Sequence, residues 1–331
     1  MSVIAECLSE VRLGAPRTHL NLTLYPLLAE GPAEPGYLLL DAALDSGCAH
    51  VTEVSESGSV PELKFVNDCG KPVLLLDGEE LIGAKQNRIL NLTVLAPAQA
   101  TIVIPVSCVE AGRWNRRSEE FTSAKRAHYA AGRARKAAQV SASMRSSGSR
   151  RSDQGEVWSD IAEKSARMEA HSDTGAAEAL YERHRESLEA FKSAFVPFEG
   201  QVGALFAIDG HVVGLDLFDS PATLAAVQPK LVESYALDAL DSHKREAGAS
   251  DPQSFLESAT RARVETFPAL GEGEDLRVRA DGLAGGALVK DARVVHLCLF
   301  RVAADENQRA QRTSRLARSY QRRHGYTGER S

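Results

Sequence analysis

The sequence has no run of about 18 or more apolar residues, so nothing in it reads as a membrane-spanning helix. Its first ten residues carry Glu6 and Glu10 and no basic residue before Arg12, unlike the basic and then apolar start of a signal peptide. The five cysteines, Cys7, Cys48, Cys69, Cys108 and Cys298, are scattered, odd in number and form no C-x-x-C pair. That pattern argues against a disulfide framework and a structural zinc site, and a reducing cytoplasm is the expected location. No G-x-G-x-x-G follows a strand pattern, and no Walker A loop, G-x-S-x-G elbow or H-E-x-x-H string occurs. The nine histidines are spread out with no i, i+4 pair, which gives metal dependence little support and leaves a cupin-like barrel without a metal-binding histidine pair. No particular cofactor follows from the sequence.

What is present is an ordinary globular composition, 43% hydrophobic and 25% charged, over a length of 331 residues that permits two domains. The net charge of −6 is unevenly spread. Arg113–Arg151 carries +9 and Asn307–Ser331 carries +6, which leaves −21 on the rest. An acidic body with two basic segments predicts internal charge pairing or an anionic ligand.

Residues 1–115 read as a β-rich unit, a sandwich or barrel, with strand patterns at Thr18–Leu28, Tyr37–Asp45, Val51–Val54, Leu63–Val66, Val73–Leu76, Ile89–Leu95 and Thr101–Val109. Residues 116–200 form a basic and helical part. Helices are expected over Ser118–Gln139, Ser152–Glu169 and Thr174–Phe195, with a loop or linker over Ser141–Ser152. Residues 201–303 read as α+β. A hairpin turns at Asp209-Gly210, helices cover Pro221–Leu240 and Ser254–Phe267, and antiparallel strands cover Leu276–Ala280, Gly286–Lys290 and Arg293–Val302. Residues 304–331 are an arginine-rich tail with arginines every three or four residues, expected to be peripheral. The fold class is therefore α+β.

Polar strings at strand ends carry the candidate chemistry. Asp77–Arg88 holds Glu80, Gln86, Asn87 and Arg88, whose amides and guanidinium suit phosphate, ribose or carboxylate; the plain alternative is a polar loop with a surface ion pair. Gly83 within it permits an unusual backbone angle or a close approach. Pro105–Trp114 holds Cys108 and Glu110 on one strand face, then Arg113 and Trp114, a guanidinium beside an aromatic surface. Cys108 is a candidate nucleophile or, more plainly, a small buried hydrophobe. Ser152–Trp158 reads as a capped helix start with Gln154 and Trp158 in its first turns. Asp216 lies among apolar neighbours, so it is exposed on the far strand face or buried with a partner.

The strings GAKQNRILN (Gly83–Asn91), IPVSCVEAGRW (Ile104–Trp114), SDQGEVW (Ser152–Trp158) and VGALFAIDGHVVGLDLFDSPATL (Val202–Leu224) together resemble a bacterial family, the ADP-ribosylglycohydrolase- and rhodanese-phosphatase-associated protein domain. The resemblance covers most of Leu13–Arg301. It implies a setting in NAD and ADP-ribose metabolism, inferred for the family from gene neighbours, and an ordered role for the basic segment before SDQGEVW.

Under that reading Arg88 and Arg113 hold phosphate and Gln86 and Asn87 read ribose or an amide. Trp114 stacks a base, and Glu80 or Glu110 serves as general base if there is chemistry. Gln154, Trp158 and Asp216 complete the candidate binding set. The competing readings are a non-enzymatic scaffold or interaction module and, with less in its favour against an acidic body, nucleic-acid binding through the basic segments. A nucleotide-like small molecule and a second copy of the chain are the partners the sequence allows.

Overall fold

A computed structural model describes residues 2–55, 58–59, 61–115, 117–242 and 250–302. The arginine-rich tail therefore lies outside the described residues. The chain begins with α1 (Val3–Ser9), β1 (Arg12–Leu13), β2 (Arg17–His19) and β3 (Leu22–Leu28). Next come β4 (Leu38–Leu39), α2 (Leu40–Asp45), β5 (Ala49–Glu53), β6 (Glu62–Asn67), β7 (Val73–Leu75), β8 (Glu79–Gly83), β9 (Arg88–Leu90), β10 (Val94–Ala96), β11 (Ala100–Cys108) and β12 (Phe121–Ala127). The helices α3 (Ala130–Ser147), α4 (Gln154–Arg167), α5 (Glu178–Arg183) and α6 (Arg185–Ala194) follow. The last part holds β13 (Gln201–Ile208), β14 (His211–Phe218), α7 (Pro221–Asp241), α8 (Pro252–Thr260), β15 (Arg263–Pro268), β16 (Glu274–Ala280), β17 (Leu283–Lys290) and β18 (Arg293–Arg301).

The fold is mixed α+β, organised on two large antiparallel sheets. In the first, β12-β8-β9-β11-β6-β5 lie side by side, and the sheet curls until Thr52 on β5 bridges to Glu120 just before β12. Its concave face is apolar: Val51, Leu63, Phe65, Leu90, Ile104 and Val106 form one buried cluster. The second sheet runs β1-β3-β13-β14-β18-β17-β16-β15, with β2 beside β3. It joins strands from the first thirty residues to strands after residue 200. A small third sheet, β10-β7-β4, completes the set.

The long apolar string on β13 is buried at every residue because the second sheet is covered on both faces. Ala204 and Phe206 point to the side of α3 and α7, and Leu205 and Ala207 to the side of α1 and α8. The turn at Asp209-Gly210 has positive φ at both residues, as a tight hairpin requires.

Several boundaries differ from the sequence expectation. Ser118–Gln139 is not one helix, because Phe121–Ala127 pairs with β8 and the helix starts only at Ala130. That helix runs through the expected loop to Ser147. The serines at its end bond back to its own carbonyls (Ser141 Oγ to Ala137 O, 2.7 Å; Ser147 Oγ to Ser143 O, 3.0 Å), and Gly148 ends it at φ 72°. Tyr37–Asp45 is mostly the short α2 and not a strand. Ile89–Leu95 divides between two sheets, since Asn91 and Thr93 turn their side chains to Ser107, Arg150 and the Asp77 amide. Thr174–Phe195 breaks at His184, and the second half of Ser254–Phe267 is the edge strand β15.

The reading of the cysteines also needs correction. Cys48 and Cys69 form a disulfide, since β5 and β6 are paired neighbours and both residues lie at their shared end. Spacing along the chain could not reveal this, and the cysteine argument for a reducing compartment loses its premise.

Candidate functional site

The concave face of the curled sheet ends in charge. Arg88 is opposite Leu81 on one side and Cys108 on the other, and Leu90 and Val106 are paired one step further in. Side chains directly opposite share a face, so Arg88 and Cys108 project into the sheet's interior beside its apolar cluster. Glu53 does the same from β5, where it is opposite Leu63 and follows Ala49 and Val51 on that face.

Arg88 is fully buried, yet only Nη1 has a partner, donating to Gln86 Oε1 at 3.0 Å. Its Nε and Nη2, the two-pronged side of the guanidinium, have none among the described residues. Arg126 and Arg277 each close that same side on a carboxylate, Glu80 and Asp275 respectively. Burial lowers the pKa of Arg88 below the ordinary guanidinium value, and the Cys108 thiol and Glu53 carboxyl oppose the shift. Glu53 is itself 9% exposed, and neither of its oxygens has a hydrogen-bond partner among the described residues.

The GAKQNR string and the end of β11 meet around this point. Gln86 Nε2 donates to Glu110 O at 2.9 Å, and the Asn87 amide donates to Glu110 Oε2 at 3.1 Å. Arg113 pairs with Glu110 at 2.6 Å, donates to Asn87 Oδ1 at 3.1 Å, and also reaches the carbonyls of Ala84 and Asn115. Thr174 Oγ1 adds a third donor to Glu110 at 2.8 Å. Burial works against the Glu110 charge, but the Arg113, Thr174 and Asn87 donors outweigh it and hold the carboxyl below its usual range. The expected surface ion pair is therefore a buried one.

Gly83, at φ 135°, has the unusual backbone angle and the close approach together: a Cβ there would meet Glu120 O and Ser118 Oγ at 2.7 Å.

Cys108 Sγ donates to Gln86 Oε1 at 2.9 Å, and burial raises its pKa despite the Arg88 guanidinium, a setting that favours the thiol over the thiolate. Gln154, at the capped start of α4, clasps the Cys108 backbone, accepting from its N–H and donating to its carbonyl, each at 2.8 Å. Trp158, one turn on, is partly buried, and its indole N–H faces the Cys108 sulfur, where it works against the effect of burial. Trp114 is 46% exposed, with Lys85 Nζ 5.2 Å and Arg88 Cζ 5.8 Å from its ring centroid.

Two candidate residues stand elsewhere. Glu80 projects from the opposite face of β8 and is taken up by Arg126, at 2.7 Å, above the Tyr181 ring. Asp216 is buried in a second network between the two large sheets. Arg133 on α3 grips it at 2.6 Å and 3.2 Å and also reaches Asp77 at 3.3 Å. Tyr235 and His296 donate to Asp216 from α7 and β18, His296 meets Thr93, and Lys136 pairs with Asp77. Burial opposes the Asp216 charge, yet Arg133 holds its carboxyl far below the ordinary range. The basic segment is thus packed against the acidic body, with Arg145 and Arg150 facing Glu265 and Asp275 further along.

Residues the sequence reading passed over are Glu53, Lys85 and Thr174. A signal existed for Glu53 alone: the alternation Ala49, Val51, Glu53 puts a carboxylate on an apolar face.

Residues 10–300 match the ARG and Rhodanese-Phosphatase-superfamily-associated Protein domain, and the chain belongs to that family. No curated protein and no solved structure matches it.

Proposed function

We propose that this end of the curled sheet binds ADP-ribose or a related NAD-derived nucleotide. The observation that carries the reading is the Nε–Nη2 side of Arg88, buried without a partner within reach of an exposed tryptophan. Burying guanidinium donors unpaired costs free energy that a ligand with paired acceptors recovers. Trp114 offers a ring at the rim for a base. The family's association with ADP-ribosylglycohydrolase supports the same class of ligand.

In this reading Gln86, Asn87, Glu110, Arg113 and Gln154 shape the site and do not touch the ligand, since their polar groups are used on one another and on the backbone. That same self-sufficiency favours the second reading, a scaffold in which the cluster only braces a junction.

A thermal-shift screen with ADP-ribose, NAD and plain nucleotides separates the two. A ligand at a hundred times its Kd stabilises by about 2.7 kcal/mol. The Trp114→Ala variant should keep the unliganded melting temperature, because the ring is half exposed, and should weaken binding roughly tenfold, the loss of one stacking contact. No shift with any nucleotide would leave the scaffold.

A further inference from the structure

We propose, resting on the nucleotide reading above, that the ligand group buried in this site is an uncharged head bearing both an N–H donor and an acceptor, an aromatic carboxamide of the nicotinamide kind. Two buried groups on the interior face have atoms with no hydrogen-bond partner among the described residues, and they are complementary in kind. Arg88 presents only donors, and Glu53 presents only acceptors. The register places both on the concave face, Glu53 opposite Leu63 and Arg88 opposite Cys108. Glu53 is also electrostatically coupled to Arg88.

An anionic head would satisfy Arg88 but would stand near Glu53, with Glu110 also close to the guanidinium, and no described group donates to Glu53. Burying a second negative charge beside an unpaired carboxylate is costly. A carboxamide avoids this: its oxygen accepts from Arg88 and its NH₂ donates to Glu53, so each of the two groups gains a partner and no net charge enters. Trp114 remains outside for the ring face.

Isothermal titration of the full-length protein with nicotinamide mononucleotide and nicotinic acid mononucleotide tests the idea, since the two differ only in the amide and the acid. The amide should bind roughly 10- to 100-fold tighter, the range for an unmet or repelled charged hydrogen bond. Glu53→Gln should bring the ratio close to one, because a glutamine amide can turn either edge to the ligand. Equal or tighter binding of the acid by the wild type overturns the proposal, as does a ratio unchanged in Glu53→Gln; the wild-type ratio decides alone if the variant does not fold. ADP-ribose and ribose 5-phosphate keep this separate from the broader reading. If they bind while the amide and acid do not differ, the nucleotide reading stands and this inference falls. If no nucleotide binds, both fall.

Discussion

At the scale of single residues, the site is a contrast between groups that are used and groups that are not. Glu110 has three donors, so its folded-state pKa is depressed. A depressed carboxylate stabilises the fold fully above the unfolded carboxylate range, and that contribution is lost as pH falls through the folded value. Glu110→Gln should therefore lower the denaturant midpoint at pH 7, by an amount of about 1.5–3 kcal/mol for charged hydrogen bonds. The deficit should shrink as pH falls below about 4, and denaturation of both proteins between pH 7 and pH 2 checks it. A deficit constant with pH would mean that the charge contributes nothing. The strings that hold Gln86, Arg88, Glu110 and Trp114 were legible because polar residues crowd together at strand ends. Which of them would be consumed by neighbours was not legible, because Arg113 meets Asn87 and Ala84 only once the two strands have folded together.

At the scale of elements, short-range chemistry was readable and competition between sheets was not. The Asp209-Gly210 hairpin and the Asp153 cap of α4 follow from local rules, and both form as expected. The division of Ile89–Leu95 does not, because its alternation suits one strand and only Thr93 and Asn91, drawn to distant partners, break it. The extension of α3 through a serine-rich stretch has a local explanation after the fact. Its end gives a clean test: Gly148 sits at φ 72° with nothing within 4 Å of where a Cβ would stand. Gly148→Ala should cost about 1–2 kcal/mol from backbone strain alone. A fall in the urea midpoint of that size, with an unchanged circular dichroism spectrum, is the expected result; no change would mean the helix end relaxes freely.

At the scale of the molecule, α3 is the pin between the two large sheets. Arg133 holds Asp77, at the turn into the curled sheet, and Asp216, in the middle of the second. Removing the cation leaves buried Asp216 with only Tyr235 and His296 and Asp77 with Lys136, so Arg133→Met should destabilise by about 3–5 kcal/mol. In the wild type, tryptophan fluorescence, which reports Trp114 and Trp158 beside the curled sheet, should share one unfolding midpoint with far-ultraviolet circular dichroism. Separate midpoints in the wild type would show that the sheets unfold independently and that Arg133 does not couple them.

The pairing of β3 with β13 sets a schedule for synthesis. Leu22 is opposite Ile208 and Leu24 is opposite Phe206, so the strand that leaves the ribosome near the start finds the neighbour on its second edge only after residue 200 has been added. At about 5–20 residues per second that wait is roughly 10–40 s. Over that time Leu22, Leu24 and Leu27, all buried in the finished sheet, have only the short strands β1 and β2 beside them. The nascent chain thus carries an apolar edge through most of its translation, and its yield in a cell depends on how well that edge is shielded until the hairpin of β13 and β14 arrives.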